Sequence, residues 1–208
     1  MEINTRKPAI VLASSSPYRR KLLQRLIRDF QCAAAAIDEA PQPGEAAQDL
    51  VLRLAEAKAR AVAAKHLDHD QPALLIGSDQ VAVMDGDIIG KPGTYDNAIN
   101  QLRKVSGKTL IFLTGLCVLD NRSSTAEVCC VPCHVQFRTL DDRQIQAYLG
   151  REPAFDCAGA FKSEGLGVTL LERMDTSDPT ALVGLPLIAL SRMLLRAGYD
   201  VIVDGGQA

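Results

Sequence analysis

The sequence predicts an α/β fold in which helices flank a mixed β-sheet. Helical and strand-like patterns alternate along most of the chain, which favours parallel strands connected by helices. Two long apolar stretches joined by a polar turn interrupt this alternation and indicate an antiparallel pair, so the sheet is expected to be mixed. The length of 208 residues suits one domain, and no repeat or linker divides the chain, so we treat residues 1–208 as a single domain.

The first elements follow from apolar runs and one clear helix start. Residues 8–13 form a short β-branched run that is typical of a buried strand. Ser16 is a favourable N-cap and Pro17 a favourable first helical residue, which predicts a helix from there to about Ile27. The same patterns predict a second strand, a Pro-rich loop and a long amphipathic helix, at residues 30–36, 37–45 and 46–67.

The second half of the chain contains the antiparallel pair. Residues 73–84 are strand-like, and Asp85-Gly86 is a tight-turn signal that returns the chain through Ile88-Ile89. Gly107 closes a helix predicted at residues 95–105. The other predicted elements are the two paired strands, a short helix, a further strand and a closing helix, at residues 109–119 and 126–137, 141–149, 168–171 and 185–196.

Composition and charge narrow the function classes. Lys plus Arg total 23 and Asp plus Glu 25, and the net charge of −2 argues against nucleic-acid polymers and membrane surfaces as partners. The longest apolar run, residues 181–190, has about half of the length that a membrane span requires. The apolar stretch near the N-terminus is too short for a secretion signal, so we expect a cytoplasmic protein with six reduced cysteines.

Two short motifs resemble known sites but lack their context. Ser106-Gly107-Lys108-Thr109 ends like a phosphate-binding P-loop, but the upstream glycine is absent and the predicted helix precedes the motif. The C-x-x-C-H pattern at residues 130–134 is typical of haem attachment or a redox dithiol. Because it lies inside a predicted strand and no export is expected, we interpret Cys130 and Cys133 as ordinary strand residues.

The start of the first helix is unusually basic. A helix N-terminus carries unpaired N–H groups and a partial positive charge, so cations in its first turn are normally disfavoured. Arg19, Arg20 and Lys21 nevertheless follow the run of serines at residues 14–16. Either these long side chains extend into solvent, or they bind an anion together with the serine hydroxyls and the backbone N–H groups. The pattern alone leaves both interpretations open.

Further charged residues accompany apolar elements. Lys58 follows Leu54 by four residues, so its stem is expected along the flank of the apolar helix face. Asp79 interrupts an apolar strand, which is costly unless the carboxylate is paired, hydrated or bound to metal. Lys91 lies just beyond the hairpin, and residues 161–165 form another polar cluster. Cations for phosphates and carboxylates that can hold a divalent ion or activate water together indicate phosphate-ester or anhydride chemistry.

Six sequence blocks resemble the Maf family of nucleoside triphosphate pyrophosphatases, in the order in which that family has them. The blocks are Leu12-Ala13-Ser14-Ser15-Ser16-Pro17-Tyr18-Arg19-Arg20, Asp38-Glu39, Arg53-Leu54-Ala55-Glu56-Ala57-Lys58-Ala59, Gly77-Ser78-Asp79-Gln80, Gly90-Lys91-Pro92 and Gly159-Ala160-Phe161-Lys162-Ser163-Glu164-Gly165. The resemblance extends from about Pro8 to Leu195. It implies an elongated, twisted mixed sheet with two lobes around a central cleft, and a homodimer.

The resemblance also implies a reaction and a role for each matching residue. Family members cleave a nucleoside triphosphate between the α- and β-phosphates with a divalent cation such as Mg²⁺, Mn²⁺ or Co²⁺. Asp79 would be the proton acceptor that activates water, and Glu39 and Asp79 would hold the metal. The residues implied to bind the triphosphate are Ser14, Arg19, Lys58 and Lys91.

Three positions distinguish the family's subgroups by base, and here they are Tyr18, Gln80 and Glu164. This set resembles the subgroup specific for 7-methyl-GTP, although Trp is expected more often than Tyr, whereas the dTTP and UTP subgroup has Arg, Thr and Gln. N7-methylation makes guanine cationic, and a cationic ring stacks on an aromatic face with a gain of about 1–2 kcal/mol when desolvated. The alternatives are a dTTP/UTP pyrophosphatase, or a nucleotide-binding regulator of cell division with little turnover.

Overall fold

A seven-stranded mixed sheet is the framework of the protein, seen in a computed structural model that describes residues 7–66 and 71–206. The strands are β1 (Ala9–Leu12), β2 (Gln31–Cys32), β3 (Ala73–Met84), β4 (Asp87–Ile89), β5 (Thr109–Asp120), β6 (Thr125–Phe137) and β7 (Leu171–Thr176). Their order in the sheet is β2-β1-β3-β5-β6-β7, and β4 pairs with β3. β1 is parallel to β2 and β3, and the other pairings are antiparallel, which confirms the predicted mixed sheet.

Six α-helices flank the sheet in the described residues. They are α1 (Pro17–Leu23), α2 (Ala47–His66), α3 (Tyr95–Val105), α4 (Asp142–Arg151), α5 (Leu187–Arg196) and α6 (Val201–Asp204). None of them is long and apolar enough to cross a membrane. Short 3₁₀ turns connect α4 to β7 and β7 to α5.

The alternation of side chains along the strands divides the hydrophobic core. At the β1 end of the sheet, one face packs against α1 and α5 through Ile10, Leu12, Leu74 and Ile76. The opposite face packs against α2 through Val11, Ala13, Ala73 and Leu75. A third cluster lies at the other end of the long strands and includes residues of α3 and α4. The strands β3 and β5 therefore run from one end of the molecule into the other.

The sheet has a gap along one edge of β3. β1 pairs with β3 only as far as Ile76, and β4 pairs with it only from Ala82 onward. Residues 77–81 have no strand partner on that edge among the residues that the structure describes. Side chains from both faces of β3 can therefore reach the space beside this gap.

Most predicted elements are confirmed, and β3 and α3 have the predicted bounds. α1 is shorter than predicted, because residues 24–26 tighten into three-residue turns, although Ile27 is buried as expected. The second strand is also shorter than predicted, and α6 was not predicted. The predicted end of the long helix, Leu67, lies outside the described residues.

The strand predicted at residues 168–171 is wrong. This apolar run forms the 3₁₀ turn Leu166–Leu170, which buries Leu170 against the third core cluster. The strand β7 begins only at Leu171 and is mostly exposed, because it is the edge strand of the sheet. Apolar character predicted burial here, but the buried backbone is not extended.

The C-x-x-C-H pattern lies within β6, as expected from its alternating character. Cys130 and Cys133 are three residues apart in a strand, so their side chains lie on opposite faces. Burial raises the pKa of Cys133 to about 11 and also raises that of Cys130. A redox dithiol needs a lowered thiol pKa, so the interpretation as ordinary strand residues is supported.

Candidate active site

A cleft of about 630 Å³ lies beside the gap in the sheet. Its volume is typical of pockets that hold a small-molecule ligand. All nine candidate site residues line it, although they come from six separate parts of the chain: Ser14, Tyr18, Arg19, Glu39, Lys58, Asp79, Gln80, Lys91 and Glu164.

The serines before α1 form one wall of the cleft. Ser16 caps the helix by accepting a hydrogen bond from the backbone N–H of Arg19 at 3.4 Å. Ser14 is buried, and its Oγ accepts from the backbone N–H of Ser16 at 3.1 Å. The hydroxyl hydrogen of Ser14 therefore remains available to a ligand in the cleft.

The three basic residues of α1 differ in their surroundings. Arg20 and Lys21 are exposed, as expected for long side chains that extend into solvent. Arg19 is half-buried in the cleft wall, and its Nε donates to the carbonyl oxygen of Gly184 at 2.8 Å. Burial lowers the pKa of Arg19, and the nearby carboxylates of Asp79 and Glu39 act in the opposite direction. Of the three basic residues of α1, Arg19 is therefore the one that can bind an anion in the cleft.

Lys58 lies between two carboxylates. Its Nζ is 2.8 Å from Glu39 Oε1 and 2.7 Å from Asp79 Oδ1. Lys58 and Asp79 are each only 7% exposed, whereas Glu39 is exposed. In the part of the chain that the structure describes, Asp79 Oδ2 accepts no hydrogen bond. The ion pair therefore fixes one oxygen of Asp79 and leaves the other for a ligand or a water molecule.

Two glycines bring α2 close enough for this contact. A Cβ atom at Gly77 would overlap the carbonyl oxygen of Ala55, and one at Gly115 would overlap that of Val51. The backbone of α2 therefore lies directly on β3 and β5. Lys58, one turn after Ala55, reaches Asp79 on β3, and it is buried, which its predicted position along the flank of the apolar face did not indicate.

Gln80 lies on the face of β3 opposite to Asp79. Its Nε2 donates to Thr114 Oγ1 at 2.9 Å, to the carbonyl oxygen of Ala181 at 2.8 Å and to that of Leu182 at 3.2 Å. Three acceptors around one end of the amide fix its orientation. The amide oxygen Oε1 is then the atom that can accept a hydrogen bond from a ligand.

Tyr18 is held by two residues that the sequence did not indicate as partners. Its Oη donates to Asp156 Oδ2 at 3.3 Å, and Lys162 Nζ lies 6.0 Å from the centre of its ring. Lys162 also pairs with Asp156 at 3.4 Å. Asp156 belongs to none of the recognised sequence blocks, so no motif pointed to it. One face of the Tyr18 ring is thus already arranged to interact with a cation.

Glu164 and Lys91, like Glu39, are candidate residues that are exposed to solvent. Both are exposed on the cleft wall, Lys91 just after β4 and Glu164 in the turn that precedes the Leu166–Leu170 segment. Lys91 forms no ion pair with another described residue. The hairpin thus brings a free ammonium group to the same cleft as Asp79, as the sequence predicted.

The carboxylates of the cleft fit one kind of metal site. Among the described residues, no group of three or more His, Cys, Asp and Glu side chains could hold a metal ion. Glu39 and Asp79 provide two hard oxygen donors, and both contact the Lys58 ammonium, so their negative charge can attract a cation. Mg²⁺ is commonly bound by one or two carboxylates together with substrate phosphates, so two protein ligands suffice for it.

Comparison with known proteins identifies the family of this chain. The family model described as Maf-like protein matches residues 9–197. A 7-methyl-GTP pyrophosphatase of Paraburkholderia xenovorans (strain LB400) is 55% identical over 197 residues, which cover 95% of this chain and 96% of the relative. Proteins of the same name from Pseudomonas aeruginosa and Nitrosococcus oceani are 52% and 51% identical, covering 93% and 94% of this chain and 99% and 96% of their own lengths. The chain therefore belongs to the Maf family.

Proposed function

We propose that this protein is a nucleoside triphosphate pyrophosphatase that hydrolyses 7-methyl-GTP to 7-methyl-GMP and diphosphate. The observation that carries the proposal is the buried pair of Lys58 and Asp79 in a cleft that also holds Gln80 and Glu164. A carboxylate with one free oxygen suits activation of water, and Gln80 and Glu164 suit recognition of a base. The names of the relatives that cover nearly the whole chain support the same substrate.

Asp79 is the proton acceptor in this proposal. Its Oδ2 takes a proton from a water molecule whose oxygen attacks the α-phosphorus, while Oδ1 stays bonded to Lys58. The bond from the α-phosphorus to the oxygen that bridges to the β-phosphate breaks, and diphosphate leaves with the electron pair. The groups that offset the charge on the phosphates are Ser14, Arg19, Lys58 and Lys91.

A divalent cation, Mg²⁺, Mn²⁺ or Co²⁺, belongs to the proposal, and Glu39 and Asp79 would hold it together with the phosphates. When bound, such an ion neutralises phosphate charge and assists departure of diphosphate. Activity should be lost on chelation with EDTA and return on addition of Mg²⁺. Full activity in excess EDTA would contradict the metal requirement.

Tyr18, Gln80 and Glu164 bind the base in this proposal. Glu164 can accept hydrogen bonds from the guanine N1–H and amino group, and its charge favours a cationic base over ordinary guanine. The ring of Tyr18 offers a face for stacking the methylated base. A base stacked where Lys162 Nζ lies would displace this ammonium, which keeps Asp156 as its partner.

Substrate choice is tested by measuring diphosphate release from 7-methyl-GTP, GTP, UTP and dTTP side by side with Mg²⁺. The largest kcat/KM is expected for 7-methyl-GTP. A preference for UTP or dTTP would retain the mechanism and contradict the roles of Tyr18, Gln80 and Glu164. No turnover with any of these nucleotides and Mg²⁺, Mn²⁺ or Co²⁺ would favour a nucleotide-binding regulator.

The Asp79→Asn variant separates an enzyme from a binding protein. The amide cannot accept a proton from water but keeps the size of the side chain, so kcat should fall by about 10²–10⁴-fold. Binding of 7-methyl-GTP, measured by calorimetry, should persist. Unchanged turnover in this variant would remove Asp79 from the reaction.

Assembly and compartment complete the proposal. We propose that the protein forms a homodimer. Exposed apolar side chains on α5 and α6 support this proposal: Ile188, Leu195, Ile202 and Val203. Sedimentation velocity measures it directly, and a monomer at micromolar concentration would contradict it. Six cysteines without a disulfide support a reducing compartment, which we take to be the cytoplasm.

A further inference from the structure

Glu164, which recognises the base in the proposed function, has few contacts that hold its side chain in place. Glu164 is exposed, and among the described residues its carboxylate accepts a hydrogen bond only from the neighbouring Ser163, at 3.3 Å. Residues 162–165 belong to neither a strand nor an α-helix. The position of the Glu164 carboxylate in the cleft therefore depends on what fixes the backbone of the loop at residues 162–167.

The end of α4 fixes this loop at both of its ends. Tyr148 Oη accepts a hydrogen bond from the backbone N–H of Lys162 at 3.1 Å. Glu152 Oε2 accepts one from the backbone N–H of Gly167 at 2.9 Å, and it also accepts from Tyr148 Oη at 3.3 Å. The three bonds form one connected network because they share Tyr148 Oη and Glu152 Oε2. The two residues can meet in this way since they are one helical turn apart.

Burial and charge make this network suitable for a fixed position. Tyr148 is only 4% exposed, and burial raises its pKa, so its hydroxyl stays protonated and can donate to the carboxylate. Hydrogen bonds to a charged acceptor are stronger than neutral ones. Glu152 follows the last residue of α4, where its backbone N–H still bonds to the carbonyl oxygen of Tyr148. Both side chains therefore start from the same rigid helix end.

Two glycines allow the loop to lie against Glu152. A Cβ atom at Gly165 would overlap Oε1 of Glu152, and one at Gly167 would overlap the carbonyl oxygen of Lys162. The loop thus closes on itself while it contacts the carboxylate. Glu164 lies between the two bonded ends, so loss of either bond would release the segment that carries it.

We propose that Glu152, together with Tyr148, is a positioning residue that sets base selectivity by holding the loop in the conformation that directs Glu164 to the base. The inference rests on the proposed function, since it concerns the residue that recognises the base there. Neither Glu152 nor Tyr148 lines the cleft, so both act through the loop and not through the substrate.

The Glu152→Ala variant tests this inference through the ratio of kcat/KM for 7-methyl-GTP to kcat/KM for GTP. Loss of a hydrogen bond to a charged group should lower this ratio by about tenfold, through a higher KM for 7-methyl-GTP with a nearly unchanged kcat. Glu152→Gln keeps an acceptor oxygen for Gly167 and should restore most of the selectivity. Because the ratio is independent of enzyme concentration, partial unfolding of a variant cannot imitate the effect.

Two further variants complete the experiment. Asp142 lies on α4, as Tyr148 does, and forms a surface ion pair with Arg103 of α3. Asp142→Asn removes this ion pair and should leave the ratio unchanged. In a Glu164→Ala background, Glu152→Ala should cause no further loss of selectivity, because the two residues act in series. Wild-type selectivity in Glu152→Ala, or an equal loss in the Glu164→Ala background, would overturn the inference. A wild-type protein that does not prefer 7-methyl-GTP would overturn the proposed function, and this inference with it.

Discussion

At the scale of single residues, Lys58 is the side chain that connects the two carboxylates of the cleft. A buried ammonium beside a buried carboxylate is costly to desolvate, and the cost is offset only when each charge has a partner. Lys58 meets this condition with two carboxylates, one buried and one exposed, both within 2.8 Å of its Nζ. Glu39 and Asp79 are thereby kept beside each other even though 40 residues separate them in the sequence.

Replacement of Lys58 by Met should remove the partner of Asp79 and the proposed contact with phosphate. We expect kcat to fall by about 100-fold, the size of effect seen when one stabilising donor is lost from an active site. Lys65→Met is the matched control, because Lys65 lies on the same helix and is exposed. If Lys58→Met retained wild-type kcat in a diphosphate-release assay, the ion pair would have a structural role only.

Tyr18 offers a substitution that should improve the enzyme. Trp interacts with cations more strongly than Tyr does, but a Trp at position 18 would lose the hydrogen bond of Tyr18 to Asp156. That hydrogen bond is long and exposed, so the gain in stacking should exceed its loss. Tyr18→Trp should lower KM for 7-methyl-GTP about fivefold, or about 1 kcal/mol, without changing KM for UTP. An equal fall in both KM values would indicate a larger contact area and not recognition of the cationic base.

At the scale of helices and strands, the close contact between α2 and the sheet determines where Lys58 lies relative to Asp79. Because Gly77 and Gly115 lack side chains, the helix backbone rests on the strands, and no adjustment of a rotamer could relieve a Cβ atom at either position. Insertion of a methyl group into such a contact costs about 1–3 kcal/mol. The helix would have to move away from β5, and Lys58 would move with it.

The Gly115→Ala variant should therefore lose both stability and activity. We expect the free energy of unfolding in urea to fall by about 1–3 kcal/mol and kcat to fall by up to about 100-fold, since a displacement of 1 Å can have that effect on a catalytic group. Gly150→Ala is the control, because a Cβ atom there meets no other atom and alanine favours the helix. An active Gly115→Ala protein of wild-type stability would show that the contact is not needed.

The elements also indicate what the sequence could predict and what it could not. β3 and α3 have the predicted bounds because strong local signals end them: the Asp85-Gly86 turn and Gly107, all with positive φ. By contrast, the start of α5 is capped by Asp178, which accepts hydrogen bonds from the backbone N–H groups of Ile188 and Ala189. A cap ten residues before the amide that it binds leaves no local pattern.

The candidate site also contains residues that the sequence could predict and residues that it could not. The nine candidate residues lie in recognisable sequence blocks, so their convergence on the cleft could be expected from the resemblance. Asp156 and Glu152 could not be found, because each acts on a partner brought near by the fold: Tyr18 is 138 residues from Asp156. The burial of Lys58 was also missed, since alanines are too small to mark which face of α2 is apolar.

At the scale of the whole molecule, the residues proposed to bind the phosphates and the proposed base-binding residue Glu164 lie on different parts of the fold. Ser14, Arg19 and Lys58 belong to elements packed at the β1 end of the sheet, whereas Glu164 belongs to a loop held by α4 at the other end. The gap in the pairing of β3 lies between these two ends, and the cleft crosses it. A nucleotide that fills the cleft must contact both ends, whereas a ligand with phosphates alone needs only the first.

Hydrogen exchange should reveal this division. In the Asp79→Asn protein with Mg²⁺, 7-methyl-GTP at 100 times its Kd should stabilise the native state by about 2.7 kcal/mol and slow exchange in residues 14–19 and in the loop at residues 162–167. Inorganic triphosphate should slow exchange in residues 14–19 but not in the loop, because it has no base to contact Glu164. Equal protection of the loop by both ligands would mean that phosphate binding alone orders it, and selectivity would then arise from Tyr18 and Gln80 without the Glu152 network.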